Sequence, residues 1–156
     1  TPRRNGKLVH VGQVAPGAVI ESYRAAVELA TQNALQAAEA TLGDGERIAS
    51  ALSLTVYINA AAGYLHHVQI ADFASGHLES CLPESPLPAR AAVGVASLPG
   101  DAVVEVALVA VAAVNPERGD ADRRRAIKTN GARAEIRSKG NRIQSRWSAT
   151  SDVSAA

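Results

Sequence analysis

LPARAAVGVASLPGDAVVEVALVAV, residues 87–111, reads as two buried strands joined at Leu98-Pro99-Gly100-Asp101. Pro followed by Gly at the two central positions is the signature of a type I or II turn. Side chains alternate between the two faces of a strand, so each residue of the stretch can be assigned a side. With Leu98 paired to Asp101, Gly94 falls opposite Glu105, Ala92 opposite Ala107 and Arg90 opposite Val109. In that hairpin register the arginine and glutamate of the stretch, Arg90 and Glu105, share one face, roughly 13 Å apart along the strands. That is too far for a direct salt bridge. It leaves room, beside Ala92 and Gly94, for something small.

Working outward, KLVHVGQV (7–14) alternates apolar and polar residues as a half-buried strand does. The segment 19–42 places Ile20, Tyr23, Val27, Ala30 and Ala34 at helical spacing and ends at Gly43 and Gly45. ASALSLTVYI (49–58) reads as a strand. Asn59 then caps a second helix from about Tyr64 to Leu82, with Leu65, Val68, Ala71, Ser75, Leu78 and Leu82 along its apolar stripe. PESPLP (83–88) is a connection. The order strand, helix, strand, helix, strand, strand predicts an α+β fold, a single mixed sheet covered by two helices on one face. The face shared by Arg90, Ala92, Gly94, Ala107 and Val109 is then the uncovered one, because a guanidinium at a subunit cleft can meet an anion.

The chain has 156 residues, enough for one domain with a real core. Its 47% hydrophobic content leans on alanine, with only 3% aromatic residues. So thin a core predicts further burial by subunit association. A single cysteine, Cys81, excludes an internal disulfide and suits a reducing compartment. No stretch has the apolar length of a membrane span, and no signal-like segment opens the chain, so a cytoplasmic location is expected. The net charge of +1 is unevenly spread: residues 1–114 hold six Lys/Arg against ten Asp/Glu, and residues 115–156 hold ten against five. A boundary between a mildly acidic domain, 1–114, and a basic C-terminal extension, 115–156, is therefore expected at Asn115-Pro116.

PARAAVGVASLPGDAVVEVALVAV resembles the closing signature of the reactive intermediate deaminase family, the RidA or YjgF type. VGQVAP is similar to the family's early strand. The resemblance spans about residues 6–112 and is strongest at 88–105. It implies a chorismate-mutase-like fold, a homotrimer with a ligand cleft at each subunit interface, and hydrolysis of reactive imines and enamines to keto acids and ammonia without a cofactor or metal. Residue by residue, it implies that Arg90 grips a substrate carboxylate, that Glu105 orients the attacking water, and that Gly12 contacts the ligand through its backbone. Val11 stands where the family has a serine and Ala92 where it has a cysteine, so both are placed at the substrate. The chemistry is coherent: a guanidinium fork suits a carboxylate, and a carboxylate acceptor can take the proton of a positioned water.

Other signals carry less. His66, His67 and His77 contain no i, i+4 pair that would share a metal, and His10 is distant in sequence. Cys81 has no cationic neighbour in sequence and is expected to be a packed thiol. GDGE (43–46) lacks the spacing of a phosphate loop, and Ser53 and Ser97 have no hydrolase pattern around them. The extension, with its arginines and Trp147, is read as a solvated segment or one lying along a neighbouring subunit; it contains no RNA-binding module. The expected ligand is a small carboxylate-bearing imine or keto acid, with no membrane and no nucleic acid as partner. The alternatives are a non-catalytic trimer that binds a small anion or a partner and, from another class, a ribonuclease or RNA binder.

Overall fold

β3 (Glu46–Asn59) is the centre of the molecule. Its β-branched and leucine residues alternate, and Leu54, Val56 and Ile58 are fully buried on one face. Two edge strands flank it, β4 (Ala89–Val95) running parallel and β5 (Val104–Val114) antiparallel, in the order β4–β3–β5. Parallel neighbours need a long crossover, and here α2 (His67–Cys81) supplies it between β3 and β4. The other helix, α1 (Arg24–Glu39), follows a 3-10 turn at Ile20–Tyr23 and packs on α2 and β5. Both helices cover the face that carries Leu54, Val56 and Ile58. The computed structural model describes residues 1–114, and the basic extension expected at 115–156 lies outside the described residues.

The mixed sheet under two helices agrees with the sequence reading, but the strand pairing does not. The hairpin register of residues 87–111 is wrong: β4 and β5 do not pair with each other, because β3 lies between them. The expected turn does form, with Gly100 at φ +66° and Asp101 N–H donating to Leu98 O (3.0 Å). It sits inside a longer connection, residues 96–103, that arches over the end of β3. There Asn59 N–H donates to Val103 O and Ala60 N–H to Val95 O, both at 3.0 Å. A two-residue turn reaches a strand at one inter-strand spacing, whereas this connection spans two, roughly 10 Å. β4 is also largely exposed rather than buried.

Three smaller expectations change. The strand at 7–14 is reduced to β2 (Lys7–Leu8) paired with β1 (Arg3–Arg4), plus isolated bridges Val11–Ala102 and Val14–Ala60, so the sheet is not single. Asn5 and Gly6 both have positive φ, which a tight hairpin turn demands, and Gly12 at φ +99° breaks the strand further on. Asn59 caps no helix; it is the buried last residue of β3, and its Nδ2 donates to Asp101 Oδ1 (3.0 Å). The buried face of α2 is Ile70, Ala71, Ala74 and Leu78, leaving Leu65 and Val68 exposed, since the groove between α1 and β4 selects a sector rotated from the expected stripe.

Leu54 faces the helices with no exposed surface. Leu54→Ala is therefore expected to lower unfolding free energy by about 3 kcal/mol, the transfer plus cavity cost of a core leucine. Urea denaturation followed by circular dichroism measures it.

Candidate functional site

Arg90 pairs in register with Leu54, while Glu105 pairs with Tyr57 on the other side of β3. Leu54 and Tyr57 are three positions apart, an odd number, so the two charged residues point to opposite faces of the sheet. The expected shared face is thereby corrected: its register rested on a hairpin that does not form. Arg90, Ala92 and Gly94 lie on the face covered by α2, and Glu105 lies on the open face with Tyr57, Ala107 and Val109.

Arg90 finds an unexpected partner in its own chain. Its Nη1 donates to Asp72 Oδ1 (2.7 Å) and to Ser75 Oγ (2.9 Å), both on α2. Asp72 and Ser75 are nearly one helical turn apart, so they present side chains to the same point on β4. Further along the same groove, the imidazole of His67 rests over Gly94; a Cβ there would come within 2.2 Å of His67 Nε2. Tyr64 meets the His67 ring edge-on at 5.1 Å between centroids, and burial pushes the Tyr64 phenol above its ordinary pKa. Ala92 lies between Arg90 and Gly94 on that face.

The second group gathers where the 96–103 connection meets the early segment. Gly12 N–H donates to Asp101 O (2.8 Å), Val11 bridges Ala102, and Gln13 Nε2 donates to Ala96 O (2.9 Å). Glu105 begins the open face of β5 a few residues on. The positive φ of Gly12 favours glycine, and nothing crowds its missing Cβ within 4 Å. Asp101 is itself left-handed (φ +58°) and is held by Asn59, whose Oδ1 is buried without a hydrogen-bond partner among the described residues. One chain therefore separates these residues into two groups: Arg90 and Ala92 on the helix side of β4, and Val11, Gly12 and Glu105 around the start of β5.

Cys81 corrects another expectation. It is exposed at the end of α2, with its Sγ 3.7 Å from His77 Nε2 and 3.8 Å from Gln32 Oε1. The i, i+4 spacing of His77 and Cys81 was the signal available in the sequence. Among the described residues no cluster of three or more His, Cys, Asp or Glu could hold a metal, and no helix is long and apolar enough to cross a membrane. A cavity of about 670 Å³ between the first residues and α1 is lined by Arg3, Arg4, Asn33 and Gln36, and by neither Arg90 nor Glu105.

Architecture of this kind recurs among solved structures. A protein of unknown function from Agrobacterium tumefaciens is similar at a TM-score of 0.60 and 28% identity, over 70% of this chain and 69% of that one. A candidate endoribonuclease from Shewanella oneidensis is similar at a TM-score of 0.61 and 27% identity, over 70% of this chain and 72% of that one. No family model and no curated protein matches the chain. The shared α+β architecture supports a RidA-like fold.

Proposed function

We propose that the protein hydrolyses 2-imino and enamino acids to keto acids and ammonia, in clefts formed between copies of the chain in a homotrimer. The observation that carries this reading is the state of Arg90. One nitrogen of its guanidinium, Nη1, donates both hydrogen bonds to α2 and leaves the Nε–Nη2 edge for a ligand carboxylate, on an exposed edge strand. The two groups of residues lie on opposite faces, so Arg90 of one copy is completed by Glu105 of another. In that cleft the carboxylate rests on Arg90 and Glu105 accepts a hydrogen bond from the attacking water. The water oxygen bonds to the imine carbon and one water proton passes by way of Glu105 to the nitrogen; the second water proton follows by the same route as the C–N bond breaks with its electron pair on nitrogen, giving the keto acid and ammonia. An imine is already electrophilic, so positioning and one acid–base group supply the needed catalysis. Gly12 and Val11, held against Asp101 and Ala102 just before β5, would form the far wall, and Ala92 the floor under Arg90.

The experiment is the release of keto acid and ammonia from 2-imino acids generated in place by an amino-acid oxidase. Acceleration over the spontaneous rate supports the reading. Binding without release would favour the non-catalytic anion-binding trimer. The name of the Shewanella neighbour favours a second reading, a ribonuclease, and RNA cleavage by the same preparation without imine hydrolysis would establish it instead.

The open face also bears on assembly. Leu52, Val93, Val109 and Val111 are exposed there among alanines, an apolar surface uncommon on a monomer. Sedimentation equilibrium at micromolar concentration is expected to give three times the chain mass. Val109→Asp, placing a charge in the middle of that face, is expected to give the mass of one chain.

A further inference from the structure

Asn59 is the last residue of β3, and its side chain has no exposed surface. By the period of the strand it belongs to the same face as Tyr57, whose register partner is Glu105. A buried amide is costly there. Its Oδ1 has no hydrogen-bond partner among the described residues, a penalty that a leucine of the same branching would avoid. The nitrogen end of the amide is the end in use. Nδ2 donates to Asp101 Oδ1 at 3.0 Å, and the reverse orientation would set two oxygens against each other.

Asp101 needs holding. Gly100 (φ +66°) and Asp101 (φ +58°) are left-handed in succession, a conformation open to glycine but crowded by the Cβ of an aspartate. Asp101 lies at the surface, and among the described residues Asn59 is the one side-chain partner of its carboxylate. The Asp101 carbonyl in turn accepts the Gly12 N–H at 2.8 Å, and Val11 bridges Ala102. Glu105 follows in the same short segment, residues 101–105. The Gly12 backbone and the Glu105 carboxylate are therefore both carried by a segment whose first residue Asn59 pins.

We infer that Asn59 is a positioning residue: its amide keeps Asp101 left-handed, and through the Asp101 carbonyl it fixes Gly12 relative to Glu105. The inference rests on the reading of Gly12 and Glu105 as one side of the cleft. Asn59 touches neither ligand nor water; it sets the gap in which Glu105 orients the water. Arg90 of another copy holds the carboxylate whether or not that gap is fixed. Loss of the tether is therefore read in kcat rather than in KM.

Two variants remove the tether with opposite effects on stability. Asn59→Leu also removes the orphaned oxygen, and is expected to melt at or above the wild-type temperature. Asp101→Gly leaves Asn59 Nδ2 without its acceptor, and is expected to melt lower. Both are expected to lower kcat for 2-imino acid hydrolysis about tenfold, with KM within about twofold of wild type. In both, amide hydrogen exchange at Gly12, followed by NMR on the full chain, is expected to accelerate about tenfold relative to Val56 and Ile58. Asp101→Asn keeps an acceptor and tolerates the left-handed region, and is expected to restore wild-type kcat and Gly12 exchange. If leucine does not fit at position 59 and that variant fails to fold, Asp101→Gly and Asp101→Asn decide, since position 101 lies at the surface. If Gly12 exchange stays at the wild-type rate in Asp101→Gly, or accelerates while kcat is unchanged, the inference is overturned and the proposed function stands. The same holds if activity follows melting temperature, with Asn59→Leu fully active and Asp101→Gly impaired, because Asn59 is then structural only. If the wild type does not hydrolyse 2-imino acids, the reading of the cleft falls and the inference with it.

Discussion

Arg90→Ala is expected to lower kcat/KM for 2-imino acid hydrolysis by about 10²–10⁴-fold while leaving the fold intact. Two charge-assisted hydrogen bonds to a carboxylate, each worth about 1.5–3 kcal/mol, account for a loss of that size. Among the described residues the side chain is tied only to Asp72 and Ser75, and Asp72 is mostly exposed, so the lost pair costs about 1 kcal/mol or less of stability. Arg90→Lys retains the charge without the planar fork and is expected to recover only part of the activity. The loss should appear mainly in KM if Arg90 holds ground state and transition state alike, and in kcat if positioning against water is its main contribution. An Arg90→Ala protein with wild-type kinetics would remove the proposed mechanism.

The second result concerns which chain supplies each half of the site. Arg90→Ala and Glu105→Gln are each expected to be nearly inactive as pure proteins, yet equal mixtures, unfolded together and reassembled, should regain activity. With random mixing in a cyclic trimer, each cleft takes its arginine from one subunit and its glutamate from the next, so about one cleft in four is intact, an expectation of roughly 25% of wild-type turnover. Two groups acting within one chain would give no recovery, because no chain in the mixture carries both. The geometry behind this is simple: Arg90 and Glu105 sit in rows three residues apart on β3, on opposite faces, with two inter-strand spacings between their strands. Size-exclusion chromatography of the mixture against the pure variants controls for assembly. Failure of the mixture to exceed either parent would show that Arg90 and Glu105 do not complete one cleft across two subunits.

Local physics made much of this fold legible. The period of α1 and the glycines after it fixed that helix within a few residues, and β3 stood out through its β-branched alternation. Proline and glycine marked the turn at 98–101, and the parity of Arg90, Ala92 and Gly94 within one strand held, because period-two alternation is a property of a single strand. Asn5-Gly6 is likewise a hairpin signal legible in the sequence. The partner of a strand is not written in its own alternation, however. A strand with the pattern of residues 89–95 satisfies its hydrogen bonds equally well against β5 or against β3, and the choice falls to burial: β3, the longest strand, carries the fully buried Leu54, Val56 and Ile58 and takes the position where both of its edges are paired. That choice moved Glu105 to the other face from Arg90 and brought Asp72 and Ser75, fifteen to eighteen residues away in sequence, onto the guanidinium. The residue types of the candidate site could be read from the sequence, whereas the faces they occupy and the carboxylate beside Arg90 were decided by tertiary packing, because packing alone determines which helix lies over which strand.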